Sequence, residues 1–201
     1  MSKQLLQRVT QGKRTDAVAN RARILEAARA ILAERGLDME VNEVAERASV
    51  GVGTLYRHFA NRDDLVRAIL SETFEGLVAR VRSIAAIEDP AAALRQIPFM
   101  LDESVSSLFV TLRDPRAAKL LQDVKQRMSQ PLATELIELI AGIVERGVRM
   151  GAFRADLDPP ATAAAILGSI GAVCETLGAT RPLEELAGLL ADLHSSMVAA
   201  R

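Results

Sequence analysis

Disulfide bonds and membrane spans are the first features that this sequence lacks. Its 201 residues include one cysteine, Cys174, so no disulfide can form within the chain. A lone cysteine suits the reducing cytoplasm. No apolar run approaches the roughly 20 residues that a membrane-spanning helix needs. The N-terminus also has no apolar stretch after its basic residues, which a signal peptide requires. We therefore expect a cytoplasmic protein with no membrane contact.

Helix breakers and strand patterns are also scarce. Only seven prolines and twelve glycines interrupt the chain, and Ala, Leu, Glu and Arg dominate it. Apolar residues recur at helical spacing, as in residues 17–35 and 132–144. Asp-Pro pairs at 89–90, 114–115 and 158–159 have the form of a helix cap followed by the first helical residue. The pattern predicts an all-α fold.

The usual signatures of an enzyme are missing. The sequence has no phosphate-binding loop and no nucleophile elbow, and its two histidines, His58 and His194, lie far apart. No Cys or second His is near His58, so a metal site there is not expected. We expect neither a catalytic residue nor a metal or organic cofactor.

Charge is distributed unevenly along the chain. Residues 1–35 carry eight Lys or Arg and three Asp or Glu, whereas the whole chain has a net charge of −1. A basic leading segment on a mildly acidic body points to a polyanionic partner at the N-terminal end. A solvated basic tail without a partner is the equally weighted alternative. We expect residues 1–16 to form a flexible basic arm.

Residues 40–59 form the most informative segment. Two short helices, at 42–48 and 52–59, flank a turn marked by Ser49, Gly51 and Gly53. Apolar residues on both helices can share one small core, and no carboxylate lies between Ser49 and Phe59. A helix with a neutral-to-basic outer face, supported by a second helix, fits the major groove of DNA.

These residues resemble the TetR family of bacterial transcriptional regulators. The resemblance rests on the runs at 23–28, 43–45 and 53–59, the last reading Gly-Thr-Leu-Tyr-Arg-His-Phe, and on Arg62. It covers residues 17–70. It implies a helix-turn-helix DNA-binding domain at 17–62 and a helical effector-binding and dimerisation domain at 63–201. It also implies a homodimer on a palindromic DNA operator and release by a small-molecule effector.

The resemblance assigns roles to several side chains of the head. Thr54, Tyr56 and His58 fall where the family's recognition helix holds phosphates and the groove floor, and Arg62 falls where a basic residue meets phosphate. A half-buried aromatic and an unused surface histidine are the alternatives for Tyr56 and His58. Glu40 departs from the family pattern, because a Ser or Thr often caps this helix, and its charge should repel DNA.

Base recognition is expected to be sparse. Val52 stands where Lys or Gln is frequent, so Gly51, Val52 and Gly53 offer close approach and a methyl contact but few hydrogen bonds. Asn42, on the neighbouring helix, and Arg57, which points away from Leu55 and Phe59, are the expected base readers. The alternative is that both contact phosphate.

The last two predicted helices, at 159–177 and 182–199, favour dimerisation. The first is rich in Ala and Gly and the second carries a leucine stripe, so two copies can form a four-helix bundle. The alternative is packing within the monomer. The expected interface residues are Ala164, Gly168, Gly171, Leu186, Leu190 and Leu193.

Large apolar residues of the body are candidates for an effector pocket, although they suit an ordinary core equally well. The candidates are Phe99, Met100, Phe109, Met128, Met150 and Phe153. A filled core without a pocket would favour the alternative function. In that case the protein is a DNA-binding regulator that a protein partner controls or that is constitutive.

Overall fold

The described part of the chain is helical and divides into two compact units. The computed structural model describes residues 3–102, 105, 114–117, 119–120, 122–123, 131–178 and 180–200, with side chains except at 3–15 and 131–133. Within these ranges the one extended pairing is an isolated bridge between Phe153 and Ala199. The prediction of an all-α fold is confirmed. Unit 1 spans Met1–Ile69 and unit 2 spans Leu70–Arg201.

Unit 1 contains a long first helix and the two short helices of the informative segment. Helix α1 spans Lys3–Arg35, a 3₁₀ turn spans Gly36–Asp38, α2 spans Val41–Arg47, and α3 spans Val52–His58. Helix α4, Arg62–Ala85, begins in this unit. The division between the units lies at Ile69 rather than at the expected residue 62. Leu65, Val66 and Ile69 are buried, so the first turns of α4 belong with the head.

The first helix is longer than the sequence pattern indicated. Residues 3–16 continue α1 instead of standing apart from it as a flexible arm. They contain no proline and a single glycine, Gly12, and Gln, Leu, Lys and Arg are good helix formers. The apolar period that guided the prediction marks a buried face, and a helix can continue without such a period. The helix ends where Gly36 adopts a left-handed φ of 59°.

The core of unit 1 is made by one face of α1 packed on α2 and α3. Ile24, Leu25 and Ile31 of α1 are fully buried, as are Val44 of α2 and Leu55 of α3. These contacts fix which side of α3 faces solvent.

Unit 2 begins within α4, and two of its later helices begin at the proline of an Asp-Pro pair. Helix α5 spans Pro90–Gln96, a 3₁₀ turn spans Ile97–Met100, α6 spans Pro131–Arg149, α7 spans Pro159–Leu177, and α8 spans Leu183–Val198. Asp89 accepts a hydrogen bond from the Ala91 amide at 2.9 Å, and Asp158 accepts one from the Ala161 amide at 2.8 Å. Two of the three predicted Asp-Pro caps therefore begin these helices as expected. At the third, the Asp114 carboxylate accepts a hydrogen bond from the Arg116 amide at 2.8 Å.

Helix α7 meets the length and composition required of a membrane span, which corrects the expectation that no segment does so. It holds no charged residue before Glu175, and it is the one such helix in the described ranges. Its buried side supplies Ile166 and Ile170 to the core of unit 2. Its exposed side carries Ala and Gly, which offer little apolar area to lipid.

The end of α8 pairs with the segment that connects α6 to α7. The Arg154 amide donates to the Val198 carbonyl at 3.1 Å, beside the bridge between Phe153 and Ala199. The buried Phe153 ring lies so close to Gly147 that a Cβ added at Gly147 would clash with Cδ2 of that ring. A side chain at position 147 would therefore displace the ring.

We expect Gly147→Ala to lower the free energy of unfolding by about 1–3 kcal/mol, because it overpacks the core against Phe153. Gly142→Ala is the matched control on the same helix, since nothing lies within 4 Å of its new Cβ. The control should raise the stability by up to about 1 kcal/mol through helix propensity. Urea denaturation of the three proteins measures both effects. Equal stabilisation by the two variants would contradict the packing described above.

His194 is a buried titratable group between α7 and α8. Its side chain is 1% exposed, and its Nε2 lies 2.8 Å from the Ser169 hydroxyl. That hydroxyl donates to the Ile166 carbonyl, so its oxygen accepts from the imidazole Nε2–H. Nδ1 is buried without a hydrogen-bond partner. Burial lowers the pKa of His194 below its ordinary value, because a protonated Nδ1 would be an unsatisfied buried donor.

We expect His194 to make the fold sensitive to acid. Its pKa is lower in the folded than in the unfolded state, so the folded state binds fewer protons, and stability is lost as the pH falls below about 6.5. His194→Gln keeps a neutral donor for Ser169 and should remove this contribution. Denaturation midpoints between pH 7.5 and 5 should therefore fall more steeply for the parent than for the variant. Parallel profiles would show that His194 does not contribute.

Candidate nucleic-acid interface

The turn between α2 and α3 is built from a helix-ending motif. The Val50 amide donates to the Ala45 carbonyl at 3.0 Å and the Ser49 amide donates to the Glu46 carbonyl at 2.9 Å. This double closure requires a left-handed residue, and Ser49 takes that conformation with a φ of 53°. The turn redirects the chain within three residues and starts α3 at Val52.

Helix α3 presents a well-defined outer face. Leu55 is buried, and Phe59, just beyond the helix, is buried as well. Gly53 and Arg57 are exposed, Val52 is largely exposed, and Tyr56 is 50% exposed. Thr54 and His58 are half-buried at the edges of this face. All six expected contact residues of α3 are therefore accessible to some extent.

Helix α2 contributes two surface residues near its start, Asn42 and Glu40. Asn42 is exposed in its first turn. Glu40 occupies the N-cap position without making a side-chain cap, so its carboxylate adds negative charge near the start of α2. The structure thus brings Asn42 to the surface but does not remove the electrostatic conflict at Glu40.

Arg62 is engaged within the head in the free protein. Its Nη1 donates to the Leu37 carbonyl at 2.7 Å, and its Nη2 lies 3.6 Å from the Asp63 carboxylate. The side chain thereby ties the start of α4 to the turn after α1. A guanidinium has five N–H donors, so these contacts leave donors for a phosphate.

Arg21 of α1 lies next to Phe59, which follows the C-terminal end of α3. Its guanidinium carbon is 5.6 Å from the centroid of the Phe59 ring, within the range of a cation–π contact. This position places a cation of α1 next to the end of α3.

An ion-pair cluster that the sequence analysis missed joins α1 to α2. Arg47 binds Glu34 through two bonds of 2.6 and 3.1 Å, and Glu43 lies 3.0 Å from Arg35 and 3.8 Å from Arg47. The hydrogen bond from Arg47 lowers the pKa of the exposed Glu34. The i,i+4 spacing of Glu43 and Arg47 was a visible signal, but the pairing with α1 depends on tertiary packing.

Of the expected effector-pocket residues that the structure describes, Phe99 and Met100 lie together, whereas Met150 and Phe153 do not line the same groove. Phe99, which is 49% exposed, and the buried Met100 line an open groove of about 390 Å³ in unit 2. Met150 is 67% exposed at the end of α6, and Phe153 is in the core against Gly147. Phe109 and Met128 lie outside the described residues.

Most of the groove's lining was not anticipated. Its other walls are one side of α4 and the end of α5. Arg80, which lines it, forms an ion pair with Asp102, whose other oxygen caps the Val105 amide at 2.9 Å. Gln96, which ends α5, forms one wall. Spacing of three and four residues places the other wall residues on one side of α4. They are Ala79, Arg80, Ser83 and Ile84.

The expected dimer residues divide into two groups. Ala164, Gly168 and Leu193 are exposed and Gly171 is partly exposed. Leu186 and Leu190 are buried in the chain's own core, so the expectation that they face a partner is wrong. The exposed leucines of α8 are Leu189 and Leu193, because packing on α5 and α7 buries the adjacent side.

Known proteins share both the head and the overall architecture. Residues 24–69 match the model of the bacterial regulatory proteins of the tetR family. The HTH-type transcriptional repressor KstR2 of Rhodococcus jostii is 31% identical over 142 residues, covering 69% of this chain and 70% of the relative.

Two solved structures of regulators named FadR show the same fold. The fatty acid degradation regulator FadR of Bacillus halodurans superposes with a TM-score of 0.73 at 21% identity, covering 90% of this chain and 97% of that one. FadR of Bacillus subtilis, in complex with stearoyl-CoA, superposes with a TM-score of 0.70 at 21% identity, covering 88% and 98%. The tetR-family match of residues 24–69 and the 31% identity to KstR2 over 70% of that relative establish that the chain belongs to the TetR family of bacterial transcriptional regulators.

Proposed function

We propose that this protein is a homodimeric repressor that binds a palindromic DNA operator and leaves it when a small molecule binds unit 2. The observation that carries the proposal is the outer face of α3. That face is accessible, holds Tyr56 and Arg57, and has no carboxylate between Ser49 and Phe59. Such a helix can lie in a major groove without repelling phosphate. A protein of this kind works on chromosomal DNA, in the cytoplasm.

Phosphate contacts supply most of the proposed affinity. Thr54, Tyr56 and His58 lie along α3, and Arg62 lies at the start of α4. Groups at both ends of α3 can therefore grip the backbone on either side of the groove, which sets the register without reading sequence.

Base reading falls to Arg57 and Asn42. Both are exposed, and a guanidinium can form a two-pronged contact with guanine, whereas an amide can pair with adenine. Val52 and Gly53 contribute shape and, for Val52, contact with a thymine methyl group. Few hydrogen-bonding side chains reach the groove, so DNA shape carries part of the specificity.

The proposed dimer forms through α7 and α8, and its two-fold symmetry matches a palindromic operator. Ala164 and Gly168 on α7, and Leu189 and Leu193 on α8, are uncharged and exposed. Small residues let two helices approach closely, and a two-fold axis would present two identical heads. Two heads read half-sites one helical turn apart, or a multiple of it.

The groove beside α4 is the proposed effector site. Its lining combines the apolar Phe99, Met100 and Ile84 with the polar Arg80 and Gln96. This combination suits an amphipathic molecule with an acidic group. Since FadR of Bacillus subtilis was solved with stearoyl-CoA, acyl-CoA thioesters are the first class to examine. The alternative is a regulator without a small-molecule effector.

DNA recognition is tested by sequencing genomic fragments that the purified protein selects, followed by binding to every single-base operator variant. Arg57→Ala should lose about 1–3 kcal/mol of discrimination at one guanine. Arg62→Ala should weaken all variants alike and flatten the salt dependence by about 1 for each lost contact. Arg149→Ala, an exposed cation of unit 2, is the control. If Arg57→Ala and Asn42→Ala both keep the full sequence preference of the parent, these side chains do not read bases. The specificity would then come from DNA shape.

The dimer is tested with Gly168→Arg. Nothing lies within 4 Å of a new Cβ at Gly168, so the monomer accommodates the change, whereas a partner helix would bury an unpaired charge. Sedimentation should show a monomer. Gly76→Arg on α4 is the matched control, with equally open surroundings, and should remain dimeric. A dimeric Gly168→Arg would count against this interface.

Effector release is tested by titrating acyl-CoA thioesters of increasing chain length into the protein–operator complex. Phe99→Ser should weaken the response about tenfold, or about 1.4 kcal/mol, by removing apolar contact from the groove. Met150→Ser changes an exposed residue outside the groove and should leave the response unchanged. If no thioester releases the operator, the acyl-CoA class is excluded and the alternative without an effector gains support.

A further inference from the structure

The first eighteen described residues of α1 extend beyond the core of the head. Residues 17–19 are all exposed, with Val18 at 71%, and among residues 16–35, whose side chains are described, Ile24 is the first that is fully buried. Backbone helix nevertheless continues back to Lys3. We call residues 3–20 the arm helix.

The arm helix has one sign of charge over most of its length. Residues 3–15 contain Lys3, Arg8, Lys13 and Arg14 and no Asp or Glu. Its first acidic residue, Asp16, follows this stretch. An isolated helix gains nothing from such like charges, which repel one another, so the composition favours a polyanionic partner over a solvated surface.

The register of α1 identifies which side of the arm helix continues the side that is buried in the head. A helix turns about 100° per residue, so residues spaced alternately by four and three stay on one side. The side of α1 buried in the head includes Leu25, Ala28 and Leu32. Counted back along this register, the same side includes a mainly polar stripe and, beside it, Leu6, which lies eighteen residues, or five turns, before the buried Ile24. The stripe is Lys3, Gln7, Thr10, Arg14, Ala17 and Arg21.

The stripe starts at the proposed DNA surface. Arg21 lies over Phe59, immediately after the recognition helix α3 and His58. From Arg21 to Lys3 the helix advances eighteen residues, or about 27 Å at 1.5 Å per residue. At 3.4 Å per base pair, that length matches about 8 base pairs of duplex.

We infer that the arm helix is a second DNA-binding element, which lies along the phosphate backbone of the duplex outside each operator half-site. This inference rests on the proposed function and extends it, because it makes the flanking DNA part of the binding site. Charge complementarity and continuity with the recognition helix select DNA as the partner. The arm adds affinity without adding base specificity.

The test compares duplexes that carry the operator recovered by genomic selection, with either 2 or 12 base pairs beyond each half-site. The full chain should bind the longer duplex on the order of tenfold more tightly at low salt. Its hydroxyl-radical footprint should extend about 8 base pairs further on each side than the footprint of the neutralised variant. That variant carries Lys3→Gln, Arg8→Gln, Lys13→Gln and Arg14→Gln, and it should bind both duplexes equally.

Two further variants separate the helix from its charge. Gln11→Pro keeps every charge but interrupts the arm helix, so it should lose most of the gain from the flanks. A variant in which four exposed cations of unit 2 become Gln is the charge-matched control and should keep that gain. Those cations are Arg95, Lys119, Arg149 and Arg181. Thermal unfolding of all variants checks that the head is intact.

The outcomes distinguish the inference from the function on which it rests. Equal affinity of the full chain for short and long duplexes would overturn the arm contact while leaving operator binding intact. Full retention of the gain by Gln11→Pro would overturn the helical geometry. Binding of the full chain, but not of the neutralised variant, to phosphatidylglycerol vesicles, together with flank-independent DNA binding, would identify a membrane surface instead. Absence of any sequence-selected fragment would overturn the proposed function itself.

Discussion

Burial of Leu55 and Phe59 is the constraint on which the DNA-binding surface depends. A seven-residue helix has too few internal hydrogen bonds to be stable alone, so α3 exists because α1 and α2 cover its apolar side. Once Leu55 is buried, the rotation of α3 is fixed and Tyr56 and Arg57 must face outward. The same packing holds the left-handed Ser49 in a conformation that costs energy in isolation.

The electrostatics of the head follow from this packing. Arg47 is committed to Glu34 and Arg62 to the Leu37 carbonyl, so part of the positive charge of unit 1 stabilises the head itself. Arg57, exposed on α3, and the basic arm helix stand outside those two contacts. The proposed division is therefore between cations that build the head and cations that meet DNA, and salt should affect chiefly the second group.

Unit 2 shows how one composition serves two purposes. Helix α7 buries Ile166 and Ile170 against α6, while its opposite side exposes Gly168 and neighbouring alanines. A helix that is apolar all round is buried on both sides or lies in a membrane. Its Ala- and Gly-rich exposed side fits a second helix better than lipid, because small side chains permit close backbone approach. In the proposed dimer, α6 covers one side of α7 and a helix of the partner subunit covers the other.

Local signals in the sequence determined the helical class, the caps at Asp89 and Asp158, and the accessible residues of α3, because each depends on spacing and cap chemistry within a few residues. They did not determine the extent of α1, since a helix can continue without an apolar period. Nor did they decide which side of α8 is buried. Its leucine stripe is too wide to choose between Leu190 and Leu193, and only packing against α5 and α7 buries the first and exposes the second. The groove beside α4 likewise combines residues from separate helices, whose juxtaposition tertiary structure alone decides.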